Sequence, residues 1–232
     1  MRLHTITALG LSALAVLALA GCSNGGAPTD APASSASTSA SQEGKNPPVP
    51  ASLSSVALSK RLLNVSDLGE GYTLKAQRTA QHDDVTVIGC PALEKLGGDA
   101  ATGSSLDFPR KAKASFTYAG GSDSEVSEEL YSDSATKLSK GTSEIFDAMA
   151  SCPTYQVTSG STAIDVGTQK TAAPDLADQQ WSQVLTYTAS GQRSVVKQTA
   201  IRTGNVLVVL SGSPGLVDTH VDKALAKAQA AR

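Results

Sequence analysis

Residues 51–232 predict an α+β domain, a single mainly antiparallel sheet with helices packed against it. Three features of the chain lead to that class. From Lys111 to Ala119 the residues alternate strictly, with Ala112, Ala114, Phe116 and Tyr118 on one face and Lys111, Lys113, Ser115 and Thr117 on the other, which is the period of a half-buried strand. From Ala135 the spacing changes to steps of three and four through Leu138, Thr142, Ile145, Met149 and Cys152, the stripe of an amphipathic helix. A run of strand-like segments separated by short turns follows, and strands joined in that way pair antiparallel.

The elements follow in order. Leu53, Val56, Ala57, Leu62 and Leu63 suggest a short helix that ends near Asn64, and Ser66-Asp67-Leu68-Gly69-Glu70-Gly71 then predicts a turn. Gly120-Gly121-Ser122-Asp123 turns the first strand into a partner on which Val126 and Leu130 share a face and which ends at Tyr131. The helix from about Ser134 to Ser151 has Ser132 or Asp133 as its expected cap, because a short side-chain oxygen can accept from the open N–H groups of the first turn. Phe146 and Met149 on that helix are expected in the core. Strand candidates then cover residues 154–158, 161–168, 180–188, 194–203 and 206–211. They are broken by Ser190-Gly191 and by Gly204-Asn205, where a two-residue hairpin turn needs residues tolerant of positive φ. Leu216, Val217, Val221, Leu225 and Ala228 mark a closing helix.

The first fifty residues follow a different logic. A short basic start, Met1-Arg2-Leu3-His4, precedes an uncharged apolar run from Ile6 to Leu19 that is shorter than the ~20 residues of a membrane-spanning helix, and small residues follow it. Residues 1–21 therefore predict a signal peptide. Leu19-Ala20-Gly21-Cys22 matches the bacterial lipobox, a branched apolar residue and two small ones before a cysteine, which implies cleavage before Cys22 and a diacylglyceryl thioether on its sulfur. Two acyl chains suit the role, because one chain at about 0.8 kcal/mol per buried methylene holds a protein only marginally. Residues 22–50 are almost all Ser, Ala, Thr, Gly, Pro and Asn after that cysteine. They cannot bury enough apolar surface to offset their ordering entropy, so a disordered tether of roughly 30 Å rms span is expected. A chain rich in Ala and poor in aromatics, with such a leader, points to a high-GC Gram-positive host.

Composition narrows the function classes. A formal charge of −2, with no cluster of Lys and Arg, argues against a nucleic-acid partner. With Cys22 assigned to lipid, Cys90 and Cys152 remain, and an even pair in an oxidising compartment predicts one disulfide. Closing a loop of about 60 residues would contribute about 4 kcal/mol. Each is followed by Pro and has no second Cys or His nearby, which speaks against redox or zinc chemistry.

Searching for reactive constellations yields little. The only Gly-x-Ser-x-Gly-like spacing, Gly21-Cys22-Ser23-Asn24-Gly25, lies across the lipobox, and Ser211-Gly212-Ser213-Pro214-Gly215 lacks the lysine of a phosphate loop and is expected to turn a strand into the last helix. His82 stands beside Asp83 and Asp84 in a polar stretch best read as a loop, and His220 is expected on the exposed face of the closing helix. Asp123, Glu125, Glu128 and Glu129 lack calcium-loop spacing and are expected as a solvated strand face. Trp181 could anchor an apolar pocket or fill the sheet core. No catalytic residue, metal ligand or cofactor is assigned.

Several short motifs together resemble the extracytoplasmic sensor-like domains of actinobacterial lipoproteins, the family that includes the ectodomain of the kinase PknH. They are Leu62-Leu63-x-x-x-Asp67-Leu68-x-x-Gly71, Cys90-Pro91-x-Leu93, the Ala112 to Tyr118 strand, Ser151-Cys152-Pro153-x-Tyr155, and Arg202-x-Gly204-Asn205-Val206. The resemblance spans roughly residue 53 to the C-terminus and implies a ligand-sensing or binding module with a cleft beside a sheet and no catalytic residues to transfer. The kinase ectodomain has two disulfides where this chain can form one. The expectation is thus a membrane-anchored cell-envelope lipoprotein with a non-enzymatic ligand-binding or sensor-like domain, its partners the membrane lipid reached through acylated Cys22 and a small-molecule or envelope-protein ligand. The alternatives are a carrier of an apolar ligand or lipid, and a hydrolase with an unrecognised site.

Overall fold

A computed structural model of the protein describes residues 51–77, 85–102, 106–121 and 124–230. The signal segment, Cys22 and the tether lie outside these residues, as do His82, Asp83, Asp84 and Asp123. In chain order the elements are α1 (Ser55–Ser59), α2 (Val65–Leu68), β1 (Tyr72–Leu74), β2 (Val85–Ile88), α3 (Pro91–Glu94), α4 (Gly98–Thr102), β3 (Lys111–Tyr118), β4 (Glu125–Ser132), α5 (Ala135–Ser151), β5 (Thr154–Ser159), β6 (Thr162–Lys170), β7 (Gln179–Ala189), β8 (Gln192–Thr203), β9 (Val206–Gly212) and α6 (Pro214–Gln229). The class is α+β, with one nine-stranded sheet in the order β1-β3-β4-β9-β8-β7-β6-β5-β2. All of its neighbouring pairs are antiparallel.

Period-two alternation explains how both faces of this sheet are filled. In β9, Val206, Val208 and Leu210 join Ala112, Ala114 and Phe116 of β3, Val126 and Leu130 of β4, and the buried faces of α1, α2 and α6. The alternate residues Leu207 and Val209 face the other way, into a cluster with Tyr131, Leu138 and Phe146 under α5. A strand covered on both sides has no polar face to show, which is why Val206-Leu207-Val208-Val209-Leu210 is a continuous apolar run. Further along the second face, Met149 and Ala148 of α5 meet Cys90, Leu93, Tyr155, Val157 and Leu185.

Two glycines are fixed by close approaches. At Gly212, where φ is +150°, a Cβ would lie 2.1 Å from the Glu125 carbonyl oxygen, so the β4–β9 crossing admits no side chain there. Gly141 lies inside α5, where glycine ordinarily costs about 1 kcal/mol, and a Cβ would stand 2.9 Å from the Phe108 ring.

The strand run from β5 to β9, the β3–β4 hairpin, α5 and α6 form where the sequence predicts them. Four details differ. The helix expected over residues 53–63 is α1 alone, and a second helix starts at Asn64. The Asn64 side chain accepts from the Asp67 N–H at 3.0 Å while the Asp67 carboxylate accepts from the Asn64 N–H at 2.9 Å, a reciprocal cap that converts the first half of the expected turn into α2. The cap of α5 is Ser134 rather than Ser132 or Asp133, since Ser134 holds the extended conformation from which its hydroxyl reaches the Lys137 N–H. The very short β1, β2, α3 and α4 carry too few residues to show a period.

Candidate functional site

Three side chains expected at the surface are placed inside. Glu128 and Glu129 are 1% and 7% exposed, which corrects the solvated strand face, and only Glu125 of the described acidic residues of that segment reaches water. Glu128 shares its strand face with Val126 and Leu130 under the α1–α2 connection, where one carboxylate oxygen accepts from the Leu63 N–H at 2.5 Å and the other has no hydrogen-bond partner. Burial pushes its pKa up to about 8, against the opposing pull of that hydrogen bond and of Lys227. On the opposite face, Glu129 accepts from the Tyr131 hydroxyl and from Lys113 Nζ at 2.5 Å.

His220 is likewise 6% exposed, contrary to the expected surface position. The α6 stripe Val217, Val221, Ala224, Leu225 and Ala228 carries it inward at i+3 from Val217, and its Nε2 lies 2.6 Å from the Tyr72 hydroxyl. Burial, with a smaller contribution from Lys223, lowers the imidazole pKa. The ring therefore meets a phenol, rather than the serine or carboxylate that an acid/base pairing would call for. Beside it, burial alone would raise the Asp67 carboxyl, but hydrogen bonds from Lys227 and the Asn64 N–H, with Lys223 nearby, outweigh this and hold it below its usual value.

Beside these groups a groove opens between the α1–α2 segment and the outer edge of β3. β1 covers only the far half of β3, pairing Tyr72, Thr73 and Leu74 with Tyr118, Thr117 and Phe116. The chain then follows the edge more loosely, with the Lys75 N–H donating to the Ser115 carbonyl at 2.8 Å and the Gln77 side-chain amide donating to the Lys113 carbonyl. What remains is a pair of adjoining depressions that share Ser59, Leu62, Gln77 and Lys113. The first, about 660 Å³, has apolar walls from Leu62, Leu63, Leu74, Ala114 and Phe116, and among the described residues its ionic groups are Lys75 and Lys113. The second, about 540 Å³, is lined by Lys111, Lys113, Glu129 and Tyr131. Leu74 is 59% and Val65 41% exposed on the walls of the first, so both present apolar surface to water there.

Cys90 and Cys152 are joined by a disulfide with Cα atoms 5.7 Å apart, which ties the end of β2 to the end of α5. Trp181 lies tilted against Phe146, ring centroids 6.3 Å apart, beside the α5 core rather than at the groove. Among the described residues no three His, Cys, Asp or Glu side chains converge as metal ligands, and no helix is long and apolar enough to cross a membrane. The resemblance implied a cleft beside a sheet, but sequence reasoning did not place it, because this groove is made by the non-local pairing of β1 with β3. Glu128 and His220 were detectable, since each falls in phase with the apolar residues of its own element.

No protein-family model matches the chain. No curated protein matches it either. Among solved structures, the fold is similar to the extracellular domain of PknH from Mycobacterium tuberculosis, with a TM-score of 0.57 and 14% identity over 77% of this chain and 97% of that one. The folded part of this chain has a PknH-extracellular-domain-like fold.

Proposed function

We propose that the chain is a cell-envelope lipoprotein, anchored to the outer face of the membrane through acylated Cys22, and that its folded domain is a non-enzymatic, sensor-like module that binds ligand in the β3-edge groove. The observation that carries the binding reading is the groove itself. Its apolar lobe of about 660 Å³ falls within the roughly 300–1,000 Å³ of small-molecule sites, and a few polar groups converge at one end. The likeness to an extracellular domain supports the compartment, and the lipobox residues Leu19-Ala20-Gly21-Cys22 support the anchor. The pairing of His220 with Tyr72 gives the hydrolase alternative no nucleophile–base contact among the described residues. The apolar walls favour, as a second reading, a carrier that releases its ligand to another envelope component.

Two measurements test the proposal. Cys22→Ala should release the mature protein into the medium, and a variant that stays in the membrane fraction removes the lipid anchor. Native mass spectrometry of protein purified from its host should show a co-purifying small molecule that Leu74→Asp abolishes. Ligand-free protein, or a ligand indifferent to Leu74, removes the groove as the binding site.

A further inference from the structure

We propose that residues 55–68 form a strap latched by a proton: with Glu128 protonated the α1–α2 segment lies closed over β4, and loss of that proton releases it. Its functional meaning rests on the groove being the binding site proposed above, because Leu62, Leu63, Asn64 and Val65 of the strap form one wall of the apolar depression. Release of the strap would open that wall, so the latch regulates the same site.

The strap is held lightly. None of its residues belongs to a strand, and its two helices have five and four residues, well below the ~12–15 at which a helix persists without packing. It adheres through Leu58, Leu63 and Leu68, which are 0%, 3% and 8% exposed. Its long-range hydrogen bonds run from the Lys111 N–H to Ser55, from Arg61 to the Ala228 carbonyl, from the Leu63 N–H to Glu128, and from Lys223 and Lys227 to Asp67.

The carboxyl beneath it is fixed. Glu128 lies in mid-strand, paired with Ala114 of β3 on one side and Leu210 of β9 on the other. Only one of its oxygens is satisfied, by the Leu63 N–H, and the other has no partner among the described residues. A neutral carboxyl tolerates that setting, whereas a carboxylate needs donors or water around both oxygens. The ladders hold β4 in place, and α6 is a sixteen-residue helix anchored by six buried side chains, so the strap is the lightest cover to lift.

No neighbouring charge compensates the anion. Lys227 of α6 attracts a Glu128 carboxylate, but it is already paired with Asp67 of the strap, which repels it. Lys223 and Arg61 are committed to the Asp67 and Ala228 carbonyls, and β3 and β9 turn only apolar residues to this face. His220, two turns before Lys227 on α6, is bonded to Tyr72.

The direction follows from burial. The closed strap keeps a proton on a carboxyl pushed up to about 8, and an open strap exposes that carboxyl to water, where it titrates near 4.5. Between these values the open fraction rises by about tenfold per pH unit, which amounts to several hundredfold from pH 5 to 8. Asp67 is held below 3.8, so its own titration falls outside this range.

The test is amide hydrogen exchange, followed by NMR at pH 5, 6, 7 and 8 on the full mature chain carrying Cys22→Ala. The Leu58, Leu63 and Leu68 amides should be less protected than that of Leu207 in the central strand β9 at every pH. Their protection, corrected for the intrinsic rise of exchange with pH, should fall about tenfold per unit and less steeply near pH 8. Glu128→Gln and Glu128→Leu should each make it independent of pH, and either variant suffices if the other does not fold. Strap amides as protected as Leu207 open only with the whole domain, which overturns the strap. Protection that is flat in wild type, or that keeps its slope in a folded variant, overturns the latch. Since no ligand enters the measurement, either failure leaves the groove to be judged by Leu74→Asp, and a failure there leaves the strap standing.

Discussion

Replacing Glu128 by Gln should remove a pH dependence that the wild-type fold builds into its core. The buried carboxyl titrates at about 8 in the fold and near 4.5 when exposed. Between these values the native state keeps a proton that the unfolded chain has released, so stability falls as pH rises, by about 1.4 kcal/mol per pH unit. The stabilisation is complete below about 4.5 and lost by about 8, a total of about 5 kcal/mol. The substituted side chain, a carboxamide, would stay neutral throughout. Its oxygen can accept from the Leu63 N–H, but its NH2 would stand where the second carboxylate oxygen has no partner, at a cost of about 1–3 kcal/mol. Glu128→Gln is therefore expected to be less stable than wild type at pH 5 by about 1–3 kcal/mol and more stable at pH 8.5 by about 2–4 kcal/mol. Urea denaturation of both proteins at pH 5, 6.5 and 8.5 measures this directly. Asp67 and His220 also titrate differently in the fold, but they are common to both proteins and cancel in the difference. Two stability profiles that remain parallel from pH 5 to 8.5 would refute the reasoning.

Three further outcomes are expected. The double variant Cys90→Ser/Cys152→Ser should lose about 4 kcal/mol, since the bridge closes a separation of 62 residues, and dithiothreitol should lower the wild-type melting temperature without affecting the variant. Tyr72→Phe should cost about 1 kcal/mol by removing the hydrogen bond to His220. It should leave in place the His220 contribution, a loss of stability on acidification below about pH 6.5 that offsets part of the opposite Glu128 effect, whereas His220→Leu should remove that contribution, so that its stability rises more steeply than wild type as pH falls. Gly212→Ala should destabilise by about 3 kcal/mol or more, because its Cβ would collide with the Glu125 carbonyl, and a melting temperature within a degree or two of wild type would contradict the close approach.

The sheet was largely legible because its signals are local. Ala112, Ala114 and Phe116 alternate with charged and hydroxyl residues, and Ser190-Gly191 supplies the positive φ values of 49° and 77° that a tight hairpin needs. Glu128 and His220 went astray for one reason: each was judged by its charge rather than by its phase. Glu128 lies midway between Val126 and Leu130 at period two, and His220 lies on the stripe through Val217, Val221 and Ala224, so position alone places both inward. The groove was beyond local reasoning, because Leu74 and Phe116 are far apart in sequence and meet only when β1 docks.

The two rims of the sheet are secured by different means. On one side, β2 leads, one residue on, to a cysteine bonded to the end of α5, so it cannot peel away without stretching a covalent link. On the other, three residues of β1 rely on ladder hydrogen bonds, the Tyr72–His220 contact and an exposed ion pair. Breathing of the molecule is therefore cheapest on the β1 side, where amide exchange should outpace that of β2. That is also the side whose Leu74 forms one wall of the depression, so an occupant could be admitted while the stapled half keeps its shape.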